Sequence, residues 1–211
     1  MKNGSHGAGH SGTATVLGGA HIYHGFLGKQ EQASMVADIR TVVSRAPLFH
    51  PETRWGKKMS VGMTSAGEFG WISDRRGYRY GTMHPLGVSW PPIPASILEV
   101  WNRVSGSARS PECCLVNYYR DGAKMGLHQD RDEADTTEPV VSISLGDEAL
   151  FRIGGVERGG PTKSVWLLSG DVVVMGGQAR LAYHGIDRIR FGSSRVLKDG
   201  GRINLTLRVV T

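Results

Sequence analysis

The sequence predicts a mainly β domain of the α+β class, a jelly roll backed by helices. Three observations support this prediction. Six short β-branched or alternating runs follow residue 112, separated by Gly, Asp, Pro and Ser. Two segments with helical spacing precede them. Glycine accounts for 30 of the 211 residues, about twice the usual share, which indicates many turns and bulges.

Length and composition restrict the class of protein. A chain of 211 residues fits one domain with a full core. No stretch approaches the roughly 18 apolar residues of a membrane span, and the first 27 residues lack the apolar segment of a secretion signal. Two adjacent cysteines, Cys113 and Cys114, cannot form a disulfide framework. We therefore expect a cytoplasmic protein with no membrane association, acting as a monomer.

The charge and the N-terminus give two further expectations. Lys and Arg total 25 against 19 for Asp and Glu, a net charge of +6, which hints at a polyanionic partner. Residues 1–14 lack apolar periodicity, so they are expected to form a flexible tail before a single domain over residues 15–211. His6 and His10 in this tail are metal-ligand types, but a solvated tail is the simpler interpretation.

Two apolar stripes predict the helices. Residues 30–43 place apolar side chains at helical spacing before Pro47, and residues 94–105 begin with Pro94 at an expected first helical position. Both stripes are best explained by packing against a sheet. Their apolar members are Met35, Val36, Ile39, Val42 and Val43, and Ile97, Leu98, Trp101 and Val104.

Residues 52–80 combine aromatic and basic side chains. Planar rings among cations are suited to stacking on bases and neutralising phosphates. A hairpin whose aromatic side chains cover a core edge explains the same composition, and both interpretations stay open at this point. The residues concerned are Trp55, Phe69, Trp71, Tyr78 and Tyr80, with Arg54, Lys57, Lys58, Arg75, Arg76 and Arg79.

A His-x-Asp pair and a distant histidine form a candidate metal site. In an extended segment His128 and Asp130 project to one side. His184 follows a buried-type strand and a Gly-Gly turn. Two imidazoles and one carboxylate leave three positions open on an octahedral ion, the facial arrangement of non-heme iron(II) oxygenases.

The C-terminal run from Arg202 to Arg208 alternates polar and apolar residues. In a strand Arg202, Asn204, Thr206 and Arg208 share one face, although a half-exposed strand shows the same alternation. Two arginines flanking an asparagine present fork-shaped donors suited to a dicarboxylic acid. Asn117 and Tyr119 also share a face, and a neighbouring strand would add them to this pocket.

With these motifs in order, the sequence resembles the AlkB family of iron(II)- and 2-oxoglutarate-dependent dioxygenases, near its bacterial DNA-repair branch. The resemblance covers about residues 16–210. Further matching motifs are Met59-Ser60-Val61-Gly62-Met63-Thr64, Gly70-Trp71, Gly77-Tyr78-Arg79-Tyr80, Asn117-Tyr118-Tyr119, Leu127 to Glu133, Ser142 to Gly146, Gly170 to Val174, and Tyr183 to Ile186.

The resemblance implies a fold and a set of residue roles. It implies a double-stranded β-helix (jelly-roll core about 112–211) with an N-terminal nucleotide-recognition lid at about 52–92. Iron(II) would be held by the expected ligands His128, Asp130 and His184. The residues matching the 2-oxoglutarate site are Asn117, Tyr119, Arg202, Asn204 and Arg208, and those matching contacts to the damaged nucleotide are Trp71, Tyr78, Asp132, Glu133 and Arg158.

The implied activity is oxidative demethylation of N-alkylated bases. Iron-oxo hydroxylation of the methyl group, with O₂ and 2-oxoglutarate consumed, would release formaldehyde, succinate and CO₂. The implied substrates are 1-methyladenine and 3-methylcytosine in DNA, single-stranded and double-stranded, with RNA as a second candidate. Met175 stands where the bacterial relative has tryptophan, and Ala182 where a larger aromatic residue is expected. These departures concern the pocket wall.

Three alternatives remain at this point. One is a related oxygenase with a different substrate, such as RNA bases or a protein side chain. Another is a β protein with a structural zinc ion, which would not need Arg202 and Arg208 beside the ion. The third is a non-catalytic nucleic-acid-binding module, which would not need three metal ligands.

Overall fold

The computed structural model describes residues 14–53 and 55–211. The expected tail over residues 1–14 therefore lies outside the described residues, apart from Ala14, which begins the first strand. His6, His10 and Arg54 are likewise outside the described part of the chain.

Within that part, two α-helices and thirteen strands form. The helices are α1 (Lys29–Arg45) and α2 (Ala95–Val104), and a short 3₁₀ turn spans Gly177–Ala179. The strands are β1 (Ala14–Leu17), β2 (Ala20–Tyr23), β3 (Gly62–Gly67), β4 (Gly70–Asp74), β5 (Gly77–Gly81), β6 (Cys113–Tyr119), β7 (Met125–His128), β8 (Val140–Gly146), β9 (Glu148–Ile153), β10 (Lys163–Leu167), β11 (Val172–Met175), β12 (His184–Arg190) and β13 (Arg202–Arg208).

The strands form two large sheets and one hairpin, all antiparallel. The first sheet has seven strands in the order β1-β2-β11-β8-β13-β6-β3, and the second has four in the order β10-β9-β12-β7. One apolar cluster contains residues of both sheets, Val173 and Phe151 among them, so the sheets face each other. Strands β4 and β5 pair only with each other. The predicted mainly β class is confirmed, and two facing antiparallel sheets are the jelly-roll arrangement.

Both predicted helices are present and cover the outer side of the seven-stranded sheet. Met35 and Ile39 of α1 and Trp101 of α2 lie in the same apolar cluster as Leu205 of β13. The second helix starts one residue later than expected, because Pro94 has an extended ψ of 144° and occupies the capping position. No helix in the described ranges has the length and apolar character needed to cross a membrane.

The six predicted strand runs correspond to β6, β8, β9, β10, β11 and β13. The other strands are short, and several carry glycine or charged residues that hide the two-residue period. Strand β7 reads Met-Gly-Leu-His, for example, and β12 has a bulge between Ile186 and Arg188 in its pairing with β9. Period-two patterns detect buried strands better than short edge strands.

A buried carboxylate fixes the loop that leads into β13. Asp147 accepts hydrogen bonds from the backbone N–H groups of Gly192 (2.9 Å) and Gly201 (2.7 Å). Gly146 has a φ of +89°, and a Cβ atom there would lie 2.5 Å from the Gly201 carbonyl oxygen. This close approach requires glycine at position 146. The contact holds Gly201 in place, and β13 begins at the next residue, Arg202.

Leu205 is fully buried between the sheet and the helices. We expect Leu205→Ala to lower the free energy of unfolding by about 2–5 kcal/mol, through lost burial and a residual cavity. The matched control is Leu86→Ala, because Leu86 is 70% exposed and should cost under about 0.5 kcal/mol. Urea unfolding measures both, and equal losses would contradict the packing described.

Candidate active site

A cavity of about 460 Å³ lies between the two sheets. Its lining combines the polar side chains of β13, the segment 125–132 that includes β7, and the first residues of β12. The apolar part of its wall includes Met63, Leu115, Phe151, Val173 and Met175. A largely apolar cavity with convergent polar groups is the usual form of a small-molecule site.

His128, Asp130 and His184 come together in this cavity. His128 Nε2 lies 3.6 Å from Asp130 Oδ1, and His184 Nε2 lies 3.7 Å from Asp130 Oδ2. One potential ligand atom from each residue lies within 4.8 Å of the others, as expected of groups that can hold one metal ion. Within the described residues Asp130 Oδ2 is buried without a hydrogen-bond partner, so its lone pairs are available to an ion.

Strand pairing fixes the distance between the two imidazoles. His184 of β12 is the register partner of His128 of β7, and their ring centroids are 4.6 Å apart. The strands approach so closely beside this pair that a Cβ atom at Gly185 would lie 2.5 Å from the Met125 carbonyl oxygen. Glycine at position 185 is therefore a condition for this spacing.

Backbone carbonyls orient both rings. His128 Nδ1 donates to the Gly126 carbonyl oxygen (2.9 Å), and His184 Nδ1 donates to the Ala182 carbonyl oxygen (3.0 Å). A ring that donates from Nδ1 carries the lone pair on Nε2, the atom that faces Asp130. Such outer hydrogen bonds are typical of metal-binding histidines.

The surroundings of Asp130 and His184 shift their pKa values toward the protonation states that bind a cation. Burial alone raises the pKa of Asp130, but Arg208, His184 and His128 outweigh it and hold the pKa below its ordinary value. Burial lowers the pKa of His184 to about 4. At neutral pH the carboxylate is therefore ionised and the His184 imidazole is neutral, the forms that coordinate metals.

The polar face of β13 lines the cavity as the alternation predicts, with Arg202, Asn204, Thr206 and Arg208 all buried. Strand β6 pairs with β13 so that Asn117 lies opposite Asn204 and Tyr119 opposite Arg202. Asn117 Nδ2 donates to Asn204 Oδ1 at 3.3 Å. The half-exposed alternative for this strand is therefore wrong.

Arg202 is a buried cation without an acidic partner among the described residues. Its Nη2 donates to Ser144 Oγ at 3.1 Å, whereas its Nε and Nη1 have no hydrogen-bond partner there. Burial lowers the pKa of Arg202. Unpaired buried donors of a guanidinium are costly, so this end of the cavity fits an anionic ligand such as a carboxylate.

Arg208 differs from Arg202 because it already has a partner. Its Nη2 lies 2.8 Å from Asp130 Oδ1. This ion pair joins the metal cluster to the polar strand. The cavity thus holds a candidate metal site and a candidate carboxylate site side by side.

The hairpin β4–β5 contributes aromatic side chains to the cavity wall. The Trp71 and Tyr78 rings stack with centroids 5.3 Å apart and planes 22° from parallel. Trp71 Nε1 donates to Asp132 Oδ2 at 3.0 Å. Arg158 is exposed and also lines the cavity. The structure therefore brings four of the five expected nucleotide-contact residues to the cavity.

Glu133, the fifth, lies outside the cavity lining, and its contact with a nucleotide stays a prediction. Its carboxylate is buried away from the cavity lining, where it accepts hydrogen bonds from Arg180 Nη2 (3.0 Å) and the Tyr80 hydroxyl (2.5 Å). Arg180 also donates to the backbone carbonyl oxygens of Asp130 and Glu138. No sequence pattern singles out Arg180. Tyr80 is only one of five aromatic residues in the segment 52–80, so its contact with Glu133 has no sequence signal either.

The basic residues of segment 52–80 divide into two groups. Arg79 donates to both carboxylate oxygens of Asp74, at 2.9 and 2.7 Å, so its charge is largely neutralised. Arg75, Arg76, Lys57 and Lys58 are exposed, although Arg76 Nη2 also lies 3.5 Å from Asp74. The segment therefore contains a hairpin whose aromatic side chains pack against the core, as one of the two interpretations expects. Its exposed side also presents cations, as the other expects.

The fold and this site define an iron- and 2-oxoglutarate-dependent oxygenase. Residues 19–208 match the family model of the 2OG-Fe(II) oxygenase superfamily, and the chain belongs to this family. It is an alpha-ketoglutarate-dependent dioxygenase, alpha-ketoglutarate being 2-oxoglutarate, and it uses Fe(II), 2-oxoglutarate and O₂. The structural-zinc and non-catalytic alternatives are therefore wrong.

Individual relatives place the chain near AlkB. It is 52% identical to the alpha-ketoglutarate-dependent dioxygenase AlkB homolog of Caulobacter vibrioides over 195 residues, which cover 92% of this chain and 89% of the relative. It is 42% identical to the dioxygenase AlkB of Escherichia coli, with 82% of each chain covered. The solved structure of OsALKBH1 superposes with a TM-score of 0.78 at 31% identity, covering 93% of this chain and 99% of that one.

We expect His184→Ala to weaken binding of Mn(II), an oxygen-stable stand-in for Fe(II), by at least about tenfold, because one of three protein ligands is lost. The rise in unfolding temperature with added Mn(II) measures binding to the folded state. The matched control is His50→Ala, since His50 is exposed and outside the cavity lining. A full Mn(II) response in His184→Ala would rule out this ligand.

Proposed function

We propose that this dioxygenase is an oxidative demethylase of N-alkylated bases in nucleic acid. Its preferred substrates are 1-methyladenine and 3-methylcytosine in DNA, and RNA is a further substrate. One observation carries the proposal. A metal-type cluster and a buried arginine with two unsatisfied nitrogens share a cavity with a stacked aromatic pair on a hairpin whose outer side is basic.

We assign the iron ligands to His128, Asp130 and His184. The donor set of two imidazoles and one carboxylate suits Fe(II) and leaves positions for two co-substrates. When bound, iron and its co-substrates supply the oxidation that hydroxylates an unactivated methyl group. The protein's part is to keep Nε2 of both rings and the Asp130 carboxylate facing one point, through the Nδ1–carbonyl hydrogen bonds and the Arg208 contact.

We assign 2-oxoglutarate binding to the polar strand and its neighbour. Arg202 offers two unpartnered donors to one carboxylate, and Arg208 offers a guanidinium beside the metal ligands to the other. Asn117, Tyr119 and Asn204 lie between or opposite them on β6 and β13. Guanidinium forks recognise carboxylates through charge-assisted hydrogen bonds, so this arrangement favours a short dicarboxylate.

We assign nucleotide recognition to the segment around the hairpin, residues 52–92, above a jelly-roll core over residues 112–211. A base methylated on a ring nitrogen that takes part in pairing is cationic near neutral pH, and its pairing is broken, which lowers the cost of extruding it. Stacking on Trp71 adds a cation–π attraction of roughly 0.5–2 kcal/mol. Asp132 supplies negative charge at the same rim, and Tyr78 and Arg158 line the mouth.

The exposed cations near the hairpin complete the proposed interface. Lys57, Lys58, Arg75 and Arg76 would contact phosphates, which gives affinity that falls with salt and depends little on sequence. The apolar wall with Met175 would accommodate the base edge. A monomeric state and a cytoplasmic location stay predictions from the sequence, and the two free, buried cysteines are compatible with a reducing compartment.

Formaldehyde release tests the proposed function directly. An oligodeoxynucleotide with one 3-methylcytosine is expected to yield one formaldehyde per succinate when Fe(II) and 2-oxoglutarate are both present. Omitting either component, or using unmodified cytosine, should give none. Asp130→Ala should be inactive while keeping its fold. Matched 1-methyladenine, RNA and duplex oligonucleotides rank the substrates, and no formaldehyde from any of them would refute the proposal.

We expect Arg202→Met to weaken 2-oxoglutarate binding without lowering the stability of the protein. Losing two charge-assisted hydrogen bonds should raise the KM for 2-oxoglutarate about a hundredfold. The ligand-free protein should be as stable as its parent or more stable, because a buried, unpaired cation is removed. Thermal unfolding and succinate formation measure the two effects. The control is Arg152→Met on β9, whose arginine pairs with Asp187 outside the cavity lining; a parental KM in Arg202→Met would contradict the assignment.

We expect Trp71→Ala to abolish most demethylation while slow, uncoupled consumption of 2-oxoglutarate without nucleic acid continues. The reason is that Trp71 lies on the hairpin and is not among the metal or carboxylate groups. Formaldehyde and succinate are measured in parallel. The control is Trp166→Ala on β10, because the Trp166 ring packs against Arg190 and lies outside the cavity lining. Loss of uncoupled succinate formation as well would make Trp71 a structural residue.

A further inference from the structure

A phenol on the hairpin reaches the buried arginine beside the metal cluster. The Tyr80 hydroxyl on β5 accepts a hydrogen bond from Arg208 Nη1 at 2.9 Å and donates to Glu133 Oε1 at 2.5 Å. Arg208 Nη2 in turn lies 2.8 Å from Asp130 Oδ1. A continuous chain of polar contacts therefore runs from the hairpin to the metal cluster.

Two carboxylates lie near the Arg208 guanidinium: Asp130 in the cavity and Glu133 outside its lining. Arg208 Nε lies 3.4 Å from Glu133 Oε1, too loosely placed to form a hydrogen bond within the described residues. The Tyr80 hydroxyl is the donor that satisfies this oxygen, since Arg180 binds the other one. Without the hydroxyl, a buried carboxylate oxygen would lack a donor, which is costly. Arg208 would then turn toward Glu133 and away from Asp130.

The same hairpin carries the aromatic pair at the cavity wall. Tyr80 is the register partner of Trp71 across β4 and β5. Trp71 binds Asp132 while Tyr80 binds Glu133, so paired hairpin residues hold consecutive residues of the loop that follows Asp130. The hairpin strands pair with neither large sheet. A base that contacts Trp71 would therefore act on the same hairpin that supports Arg208.

We propose that Tyr80 is a positioning residue that holds Arg208 toward the 2-oxoglutarate carboxylate and links the affinity of that site to nucleic-acid binding. This inference rests on the proposed function. The link is reciprocal: if nucleic acid tightens 2-oxoglutarate binding, 2-oxoglutarate tightens nucleic-acid binding by the same factor. Tyr80 itself touches no reacting group.

Equilibrium dialysis of 2-oxoglutarate with the Mn(II)-loaded protein, without O₂, tests the proposal independently of turnover. Tyr80→Phe should raise the Kd of 2-oxoglutarate about tenfold, since one hydrogen bond to a charged group is lost. In the parent protein, an oligonucleotide containing 3-methylcytosine should lower that Kd, and in Tyr80→Phe this effect should disappear. In turnover, the KM for 2-oxoglutarate should rise while kcat at saturation is largely kept.

Two further variants make the test specific. Tyr118→Phe removes a comparable hydroxyl, which donates to the Gly200 carbonyl oxygen at 3.2 Å on the far side of β6, and should leave the Kd unchanged. Adding Glu133→Gln to Tyr80→Phe removes the competing charge, so the double variant should bind 2-oxoglutarate more tightly than Tyr80→Phe alone. Thermal unfolding confirms that each variant is folded.

The outcomes separate this inference from the proposed function. A parental Kd in Tyr80→Phe, with binding still lost in Arg202→Met, would overturn the role of Tyr80 alone. Equal weakening in Tyr118→Phe, or no recovery in the double variant, would also overturn it. No binding of 2-oxoglutarate by the parent protein, or no formaldehyde from any methylated oligonucleotide, would instead refute the proposed function.

Discussion

The burial of charge on one face of a central strand is the constraint on which the rest of the structure depends. Strand β13 lies between β8 and β6, with one face against the helices and the other in the cavity. Arg202 and Arg208 are consequently out of water, where a guanidinium needs an anion or several acceptors. The partner of Arg208 is Asp130, itself a member of the metal-type cluster. The fold thus places the candidate carboxylate site and the candidate metal site side by side.

Burying the two arginines costs different amounts of free energy, because only one of them has an acidic partner. Arg208 is compensated by the protein, whereas Arg202 has no acid among the described residues. In the proposed assignment, a dicarboxylate in the cavity would supply the charge missing at Arg202 and meet the already oriented Arg208 at its other end. Binding would then relieve the cost of a buried cation that has no acidic partner, and part of the proposed affinity for the co-substrate would come from that relief.

The sequence predicts this site better than it predicts the surroundings. Two-residue periodicity is enough to place Arg202 with Arg208 and His128 with Asp130, because it depends only on the chain being extended. His184 meets His128 and Asp130 only because β12 pairs with β7. The sequence of these short, glycine-containing strands does not reveal that pairing, so only the family resemblance predicts it. The sequence does not show which way the Glu133 side chain points, because Glu133 follows β7 in a loop, where no period indicates direction. Its partner Arg180 is 47 residues away, and no local pattern links the two.

The close contact at Gly185 has a consequence for how such a protein diversifies. The separation of the two histidines is set by main chain against main chain, with no side chain between them. Replacements in the cavity wall, at Met175 for example, do not touch this main-chain contact. Wall residues can therefore change without altering the distance between the two histidines, whereas any β carbon at position 185 would force the two backbones apart.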